Sequence, residues 1–331
     1  MPGGGPHDKA AQVFMMGNAM LMKETYGNFP AQKHILSCVY EGLQVPIDAG
    51  LRIESRYFVK TMARPEAKSM IRSLFLSMQE LSKGASRPQG HDKYEIKKVA
   101  VLGAGLMGAG IAYVQAMAGI ETVLLDVSQE GAEKGVAYSK RLLDKAVSRG
   151  KMSQDKADGI LSLITPSTDY SLIKGADLVV EAVYEDVELK AKVTKMAEEH
   201  LADTAVMGSN TSTLPITGLA EASVRPENFI GIHFFSPVER MGLVEIIMGK
   251  QTTEETLAKT IDYVLKIRKT PIVVNDFRGF YTSRCFGTYT QEGMEMLARA
   301  SRRRSSKMSD ASPACRWGPW KSPTASASTP P

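Results

Sequence analysis

Lys98-Val99-Ala100-Val101-Leu102-Gly103-Ala104-Gly105-Leu106-Met107-Gly108-Ala109-Gly110 is the stretch that decides how this chain folds. A short apolar run of strand character ends in three glycines spaced G-x-G-x-x-G, and a helix-forming segment follows at once. Gly103 lets the chain turn sharply off the strand. Gly105 leaves no side chain between backbone and a pyrophosphate, and Gly108 lets the new helix pack closely on the sheet. The unpaired N–H groups around Gly105, Leu106 and Met107 then face the phosphates from the positive end of the helix dipole. A glycine cluster alone also occurs in ordinary turns, so context has to decide. A second apolar run, Thr122-Val123-Leu124-Leu125-Asp126, ends in an acid at the distance downstream that a dinucleotide fold requires. A carboxylate at Asp126 accepts hydrogen bonds from ribose hydroxyls and repels a 2′-phosphate. The cofactor expected is therefore NAD rather than NADP.

The same alternation continues on either side of this unit. From Ile96 to about Asp276, short apolar runs alternate with amphipathic helical stretches, the pattern of a Rossmann-like, doubly wound, mainly parallel sheet. Besides the first two strands, the pattern places strands at 177–183, 205–208, 229–234 and 271–274. Helices are expected at 110–118, 130–149, 187–200 and 253–268, with another at 279–298. Residues 8–83 read as all-helical: Ile35, Leu36, Val39, Tyr40 and Leu43 form a helical stripe over 31–43. Further helices follow at about 47–63 and 65–81, each opened by a proline near its start. The segment Ser82-Lys83-Gly84-Ala85-Ser86-Arg87-Pro88-Gln89-Gly90 is small, polar and broken, and reads as a linker.

A chain of 331 residues with 43% hydrophobic residues can form one large core or two to three smaller ones. The net charge of +5 is local in origin. From Arg299 onward seven basic residues face one acid, a surplus of +6, so residues 1–298 sum to about −1. No nucleic-acid footprint is read from it. No apolar run approaches the length of a membrane helix, and the start lacks the basic and apolar regions of a signal peptide. Cys38, Cys285 and Cys315 show no CxxC spacing, which fits a reducing cytoplasm, and no metal site is expected. After Ala298 the sequence turns rich in Ser, Arg, Pro and Ala and loses periodicity, so residues 299–331 are expected to be a disordered tail.

His233 is one of five histidines and sits at the end of an apolar strand, Phe229 to Phe235. By itself it reads as a satisfied core histidine. The next strand-like run, Gly242-Leu243-Val244-Glu245-Ile246-Ile247, carries a lone acid, and a buried carboxylate needs a cation or donor beside it. A short hairpin-like connection from Pro237 to Met241 places Glu245 against His233. Such a pair raises imidazole basicity and fixes its tautomer, which suits a general base for an alcohol proton. The segment Ser209-Asn210-Thr211-Ser212-Thr213 ends another strand. Its hydroxyls serve either as a helix cap or as ligand contacts at the carboxyl edge of the sheet.

The strings VLGAGLMGAGIA, LVVEAVYED, SNTSTLPIT, GIHFFSPVERMGLVEII and GFYTSR, in this order and spacing, resemble the L-3-hydroxyacyl-CoA dehydrogenases of fatty-acid β-oxidation over about residues 96–298. Asn28-Phe29-Pro30-Ala31, Asp48-Ala49-Gly50-Leu51 and Ala63-Arg64-Pro65-Glu66-Ala67 resemble the helical end of the enoyl-CoA hydratase half in multifunctional β-oxidation α-subunits. His-Phe-Phe-Ser-Pro, with Ser236, also resembles the multifunctional type. The resemblance implies NAD-dependent oxidation of (S)-3-hydroxyacyl-CoA to 3-ketoacyl-CoA. It makes His233 the general base, Glu245 its orienting partner and Ser212 a contact to the reacting oxygen and the nicotinamide. Ser283 takes a position usually filled by Asn or Thr. Glu185 and Lys190 would line the cofactor crevice, against the plainer reading of solvated charges at a helix start. Ser139 and Lys145 are weaker candidates for the CoA phosphates, for which a plain surface helix is the alternative.

The expected organisation is a helical remnant of the hydratase half plus linker (1–90), an NAD-binding domain (91–278), the first helix of a truncated C-terminal helical domain (279–298) and a tail (299–331). The tail's composition resembles that of a coding sequence read in a shifted frame. Hydratase activity is not expected, and turnover is expected to be impaired by loss of the helical domain, which also makes dimerisation doubtful. The resemblance implies an acyl-CoA substrate, a thiolase β-subunit as partner in the intact complex, and a cytoplasmic location with no membrane span. One rival is a catalytically silent NAD-binding or interaction fragment. Another is a dehydrogenase of small hydroxy acids, against which the His233–Glu245 spacing and the SNTS segment argue.

Overall fold

The computed structural model describes residues 9–299, so the tail expected from 300 onward lies outside the described residues. Two compact units divide the described chain: residues 9–77 with 286–299, and residues 78–285.

The first unit begins with α1 (Lys9–Thr25), α2 (Pro30–Gly42), α3 (Ile47–Met62) and α4 (Pro65–Met70). Proline opens α2 and α4 in the first turn, where a missing N–H costs nothing, and Pro46 immediately precedes α3. The helix expected over 65–81 is present but unevenly wound. Six residues, Ile71–Leu76, adopt the wider π winding between α4 and α5 (Ser77–Ser82). Inside this unit His34 pairs with Thr61 at 2.7 Å across α2 and α3. An apolar cavity of about 740 Å³ lies between the two helices, and Ile35 and Phe58 remain more than half exposed there.

The second unit is built on eight strands: β1 (Lys98–Leu102), β2 (Glu121–Leu125), β3 (Ile164–Ser167), β4 (Leu178–Glu181), β5 (Val206–Ser209), β6 (Phe229–Phe234), β7 (Leu243–Met248) and β8 (Thr270–Asn275). Their order is β3-β2-β1-β4-β5-β6-β7-β8. Every neighbouring pair is parallel except β6 and β7. The helices α6 (Leu106–Met117), α7 (Gln129–Ser148), α8 (Gln154–Leu161), α9 (Val187–Glu198), α10 (Ile216–Ala220) and α11 (Glu254–Lys266) make the connections. Finally α12 (Thr282–Ala298) runs on across the division between the units.

Strand alternation sorts the core into two layers. Val99, Val101, Leu178 and Val180 join Ile111, Leu143 and Ile261 in one buried cluster. Ala100, Leu102 and Val179 join Val193 and Ala197 in the other. A period of two along strands buried on both faces produces this division, with α6, α7 and α11 supplying one layer and α9 the other. One buried polar bridge crosses the first layer, where Gln115 Nε2 donates to the Tyr263 hydroxyl at 2.7 Å.

The structure revises three local expectations. Helix α6 starts at Leu106 rather than 110, directly at the glycine turn. Strand β3 and helix α8 went unread: β3 is a four-residue edge strand containing Pro166, with only Ile164 fully buried, so it carries little apolar pattern. The segment read as a linker over 82–90 is tightly held within its unit. The Arg87 guanidinium spans both carboxylate oxygens of Asp262 on α11 at 2.9 Å each, and also donates to the carbonyls of His91 and Asp92.

Candidate active site

The site is assembled at the carboxyl ends of the parallel strands. At the end of β1, Gly103 has φ +98°, and a Cβ there would lie 2.7 Å from the Ala182 carbonyl oxygen. A Cβ on Gly108 would lie 1.7 Å from the Gly103 carbonyl oxygen, so the helix can pack this closely only on glycine. The space beside Gly105, which caps α6, is open: nothing stands within 4 Å of where its Cβ would be. That opening, with first-turn N–H groups that have no intrahelical partner, fits a pyrophosphate. Leu106 is exposed at this turn and Met107 lines the adjoining cavity.

Asp126, just past β2, accepts Ala104 N–H at 2.7 Å on Oδ2 and Val127 N–H at 2.8 Å on Oδ1. It therefore braces the glycine turn while remaining partly accessible. Asp126→Ala is expected to narrow the preference for NAD over NADP by roughly tenfold or more, since a charge-assisted bond and a like-charge repulsion both disappear. Calorimetric titration with both cofactors checks this, and an unchanged ratio would remove Asp126 from the ribose site.

His233 and Glu245 face each other in register across β6 and β7, the antiparallel pair. Directly opposed residues of such a pair project to the same face. His233 Nδ1 lies 2.7 Å from Glu245 Oε2, and both side chains are buried. Because an ionised carboxylate can only accept, Nδ1 carries the proton and Nε2 keeps a free lone pair. Burial pushes the Glu245 carboxyl up. The bond from His233 and the Thr282 N–H and O–H bonds outweigh it, so the carboxyl stays below its ordinary range and ionised. The ring is fixed from its sides by Phe235 and Phe280, with centroids 4.6 and 5.9 Å away.

A cavity of about 360 Å³ opens beside His233, lined among others by Met107, Glu185, Ser212, Thr213 and Ser236. The 210–213 segment that forms one wall is tied down at several points. Asn210 Oδ1 accepts Phe234 N–H at 2.8 Å. Glu185 Oε1 accepts the Thr211 hydroxyl at 2.5 Å and Ser212 N–H at 3.1 Å. Burial raises the Glu185 carboxyl, but the Thr211 and Ser212 bonds and the Lys190 charge hold it below its ordinary range. The connection after Ser236 is clamped by Lys269, whose buried Nζ donates to the carbonyls of Val238 and Met241 at 2.6 Å each.

Other candidate residues fall elsewhere. Lys190 is buried rather than solvated, and its Nζ lies 2.8 and 3.0 Å from the two oxygens of Glu181 and 3.3 Å from Glu185. Glu181 was missed by sequence reasoning, although its signal, a lone acid in the apolar run LVVEA, is the one that singled out Glu245. Ser283 lies in the first turn of α12, and the hydroxyl that reaches Glu245 belongs to Thr282, one residue earlier. Lys145 is exposed on α7, whereas Ser139 is wholly buried and its Oγ finds no hydrogen-bond partner. Removing an unsatisfied buried hydroxyl from a helix interior is favourable, so Ser139→Ala should raise stability by roughly 1 kcal/mol. Urea unfolding measures this; a loss of stability, or weakened acyl-CoA binding, would give the hydroxyl a role. Among the described residues no group of three or more His, Cys, Asp or Glu could hold a metal ion.

Residues 98–277 match the family described as 3-hydroxyacyl-CoA dehydrogenase, NAD binding domain. The fatty acid oxidation complex subunit alpha of Shewanella frigidimarina is 41% identical over 291 residues, covering 88% of this chain and 41% of that protein. The corresponding subunit of Shewanella baltica is 40% identical over 286 residues, with 86% and 40% covered. The chain thus spans about two-fifths of the length of these relatives. Among solved structures, (S)-3-hydroxybutyryl-CoA dehydrogenase from Ralstonia eutropha superposes with a TM-score of 0.63 at 34% identity, covering 64% of this chain and 76% of that one. The 3-hydroxybutyryl-CoA dehydrogenase of Escherichia coli K12 gives 0.61 at 32% identity, with 62% and 44% covered. With its glycine turn, Asp126 and the His–Glu pair all inside the matched span, the chain belongs to the 3-hydroxyacyl-CoA dehydrogenase family and carries that family's NAD-binding domain.

Proposed function

We propose that the chain oxidises (S)-3-hydroxyacyl-CoA to 3-ketoacyl-CoA in fatty-acid β-oxidation, with NAD as acceptor. The observation that carries this reading is the buried His233–Glu245 pair, with Nε2 left free, at the cavity that Met107 in the first turn of α6 also lines. NAD, when bound, supplies the acceptor for the hydride leaving the substrate carbon. The protein's part is the proton. Nε2 of His233 takes it from the 3-hydroxyl, and the imidazolium formed is stabilised by the Glu245 carboxylate already bonded at Nδ1. Ser212 supplies a hydroxyl for the substrate's oxygen, and Ser236 borders the same cavity. The open space at Gly105 and the Asp126 carboxylate would hold the pyrophosphate and the ribose.

The same reading divides the chain into a helical remnant of a hydratase half with its linker (1–90), the NAD-binding domain (91–278), the start of a C-terminal helical domain (279–298) and a tail (299–331). It gives the chain an acyl-CoA substrate, a place in a fatty-acid oxidation complex with a thiolase β-subunit, and a cytoplasmic setting. The names of the Shewanella relatives support the place in a fatty acid oxidation complex. No helix among the described residues is long and apolar enough to cross a membrane. The test is NADH formation from 3-hydroxybutyryl-CoA, read against the His233→Gln background. Tight NAD binding without His233-dependent NADH would replace this function with that of a silent NAD-binding protein.

A further inference from the structure

Glu245 is wholly buried and accepts four donors. Oε2 takes His233 Nδ1–H at 2.7 Å and the Thr282 hydroxyl at 2.8 Å; Oε1 takes Thr282 N–H at 2.8 Å and Tyr281 N–H at 3.2 Å. Two of the four donors thus belong to one residue, and the Thr282 hydroxyl shares its acceptor oxygen with the imidazole. We infer that Thr282 is a positioning residue that sets the working pH of the His233–Glu245 pair, its hydroxyl drawing carboxylate charge away from the ring. The inference rests on the dyad reading above, but not on turnover.

The physical argument concerns one oxygen atom. A hydrogen bond to a carboxylate stabilises its charge, and charge engaged by one donor is less available to another. With the hydroxyl in place, Glu245 stabilises the protonated imidazole less than it would alone. Removing the hydroxyl concentrates the carboxylate on Nδ1, so the pair holds its proton to higher pH. Lys269, a cation at the β6–β7 connection, is held by the Val238 and Met241 carbonyls. Opposite Glu245 on β8 stands the apolar Ile272, and Arg284 on α12 lies over the Phe277 ring at 4.7 Å. Tyr281 presents its backbone N–H to the carboxylate, while its hydroxyl is engaged with Cys285. Across the cavity, Glu185 is paired with Lys190.

A purely structural role is also visible, because Glu245 caps the start of α12 through the Tyr281 and Thr282 N–H groups. The test separates the two. Histidine ring signals of the free 331-residue protein are titrated by NMR in the parent, Thr282→Val, Thr282→Ala and Thr282→Ser, with the dyad signal assigned by its loss in His233→Gln. Thr282→Val should move the dyad's titration midpoint upward by roughly half a pH unit to one pH unit. Thr282→Ala, which removes the hydroxyl without added bulk, should move it the same way, and Thr282→Ser should restore it. The acid limb of the pH–rate profile should follow. An unmoved midpoint in whichever hydroxyl-free variant folds, or a Ser variant that behaves like Val, overturns the inference. The NMR arm reads the dyad without substrate, so absent turnover with a shifted midpoint would count against the proposed reaction and not against Thr282.

Discussion

His233→Gln is expected to lower kcat by about 10²–10⁴-fold and to leave NAD affinity almost unchanged, because a positioned general base contributes that much to a proton transfer. Glutamine cannot take a proton at neutral pH. Its amide N–H can still donate to Glu245, so the buried carboxylate keeps a partner and the fold is spared the cost of an orphaned charge. The cofactor contacts lie on other strands: the glycine turn follows β1 and Asp126 follows β2, whereas His233 is on β6. Stopped-flow rates with 3-hydroxybutyryl-CoA and calorimetry with NAD, on the same preparations, measure the two quantities. A variant that kept most of its rate would remove His233 from the chemistry. One that lost NAD binding as well would move it into the cofactor site.

Glu181→Ala should be the most damaging single change away from the dyad. The Glu181 carboxylate is 1% exposed and accepts Lys190 Nζ on both oxygens, the Ser209 hydroxyl at 2.6 Å and Val183 N–H at 2.8 Å. Deleting it leaves the Lys190 ammonium buried with only Glu185, at 3.3 Å, to balance it. Breaking a buried pair from one side costs roughly 3–5 kcal/mol, which is a large share of the stability of an ordinary domain. Lys190→Met in the same background should recover much of the loss, since the uncompensated charge is then gone. Denaturant unfolding of the two single variants and the double variant gives the coupling. A cost below about 1 kcal/mol for Glu181→Ala would show the pair to be solvated and slack.

What the sequence disclosed follows from the range of the interactions involved. The β1–glycine–α6–β2 unit was readable because strand period, turn and acid lie within thirty residues. The His233–Glu245 pair was readable because a hairpin joins partners twelve residues apart. Contacts made over longer separations left no local trace. Arg87 and Asp262 are 175 residues apart, which is why a segment of linker composition proved to be fixed to α11. Separation is not the only limit: Lys190 lies just nine residues from Glu181, and although the lone acid in LVVEA marks one partner, nothing in the helix that follows marks Lys190 as the other. Thr282 was passed over because nothing in GFYTSR distinguishes it from its neighbours until a carboxylate from another strand arrives.

The pairing of β6 with β7 also constrains how this protein can vary in length. His233 meets Glu245 because the connection between the strands holds one register, with Lys269 clamped to two of its carbonyls. Side chains along a strand alternate between faces, so a slip of one residue turns Glu245 toward the opposite layer of the sheet and leaves the imidazole unpartnered. An odd insertion or deletion absorbed as a strand slip turns Glu245 to the opposite face. An even one keeps it on the same face but carries it about 7 Å along the strand, out of reach of the imidazole. In surface loops elsewhere, length can drift freely; between residues 235 and 242 any slip breaks the pair.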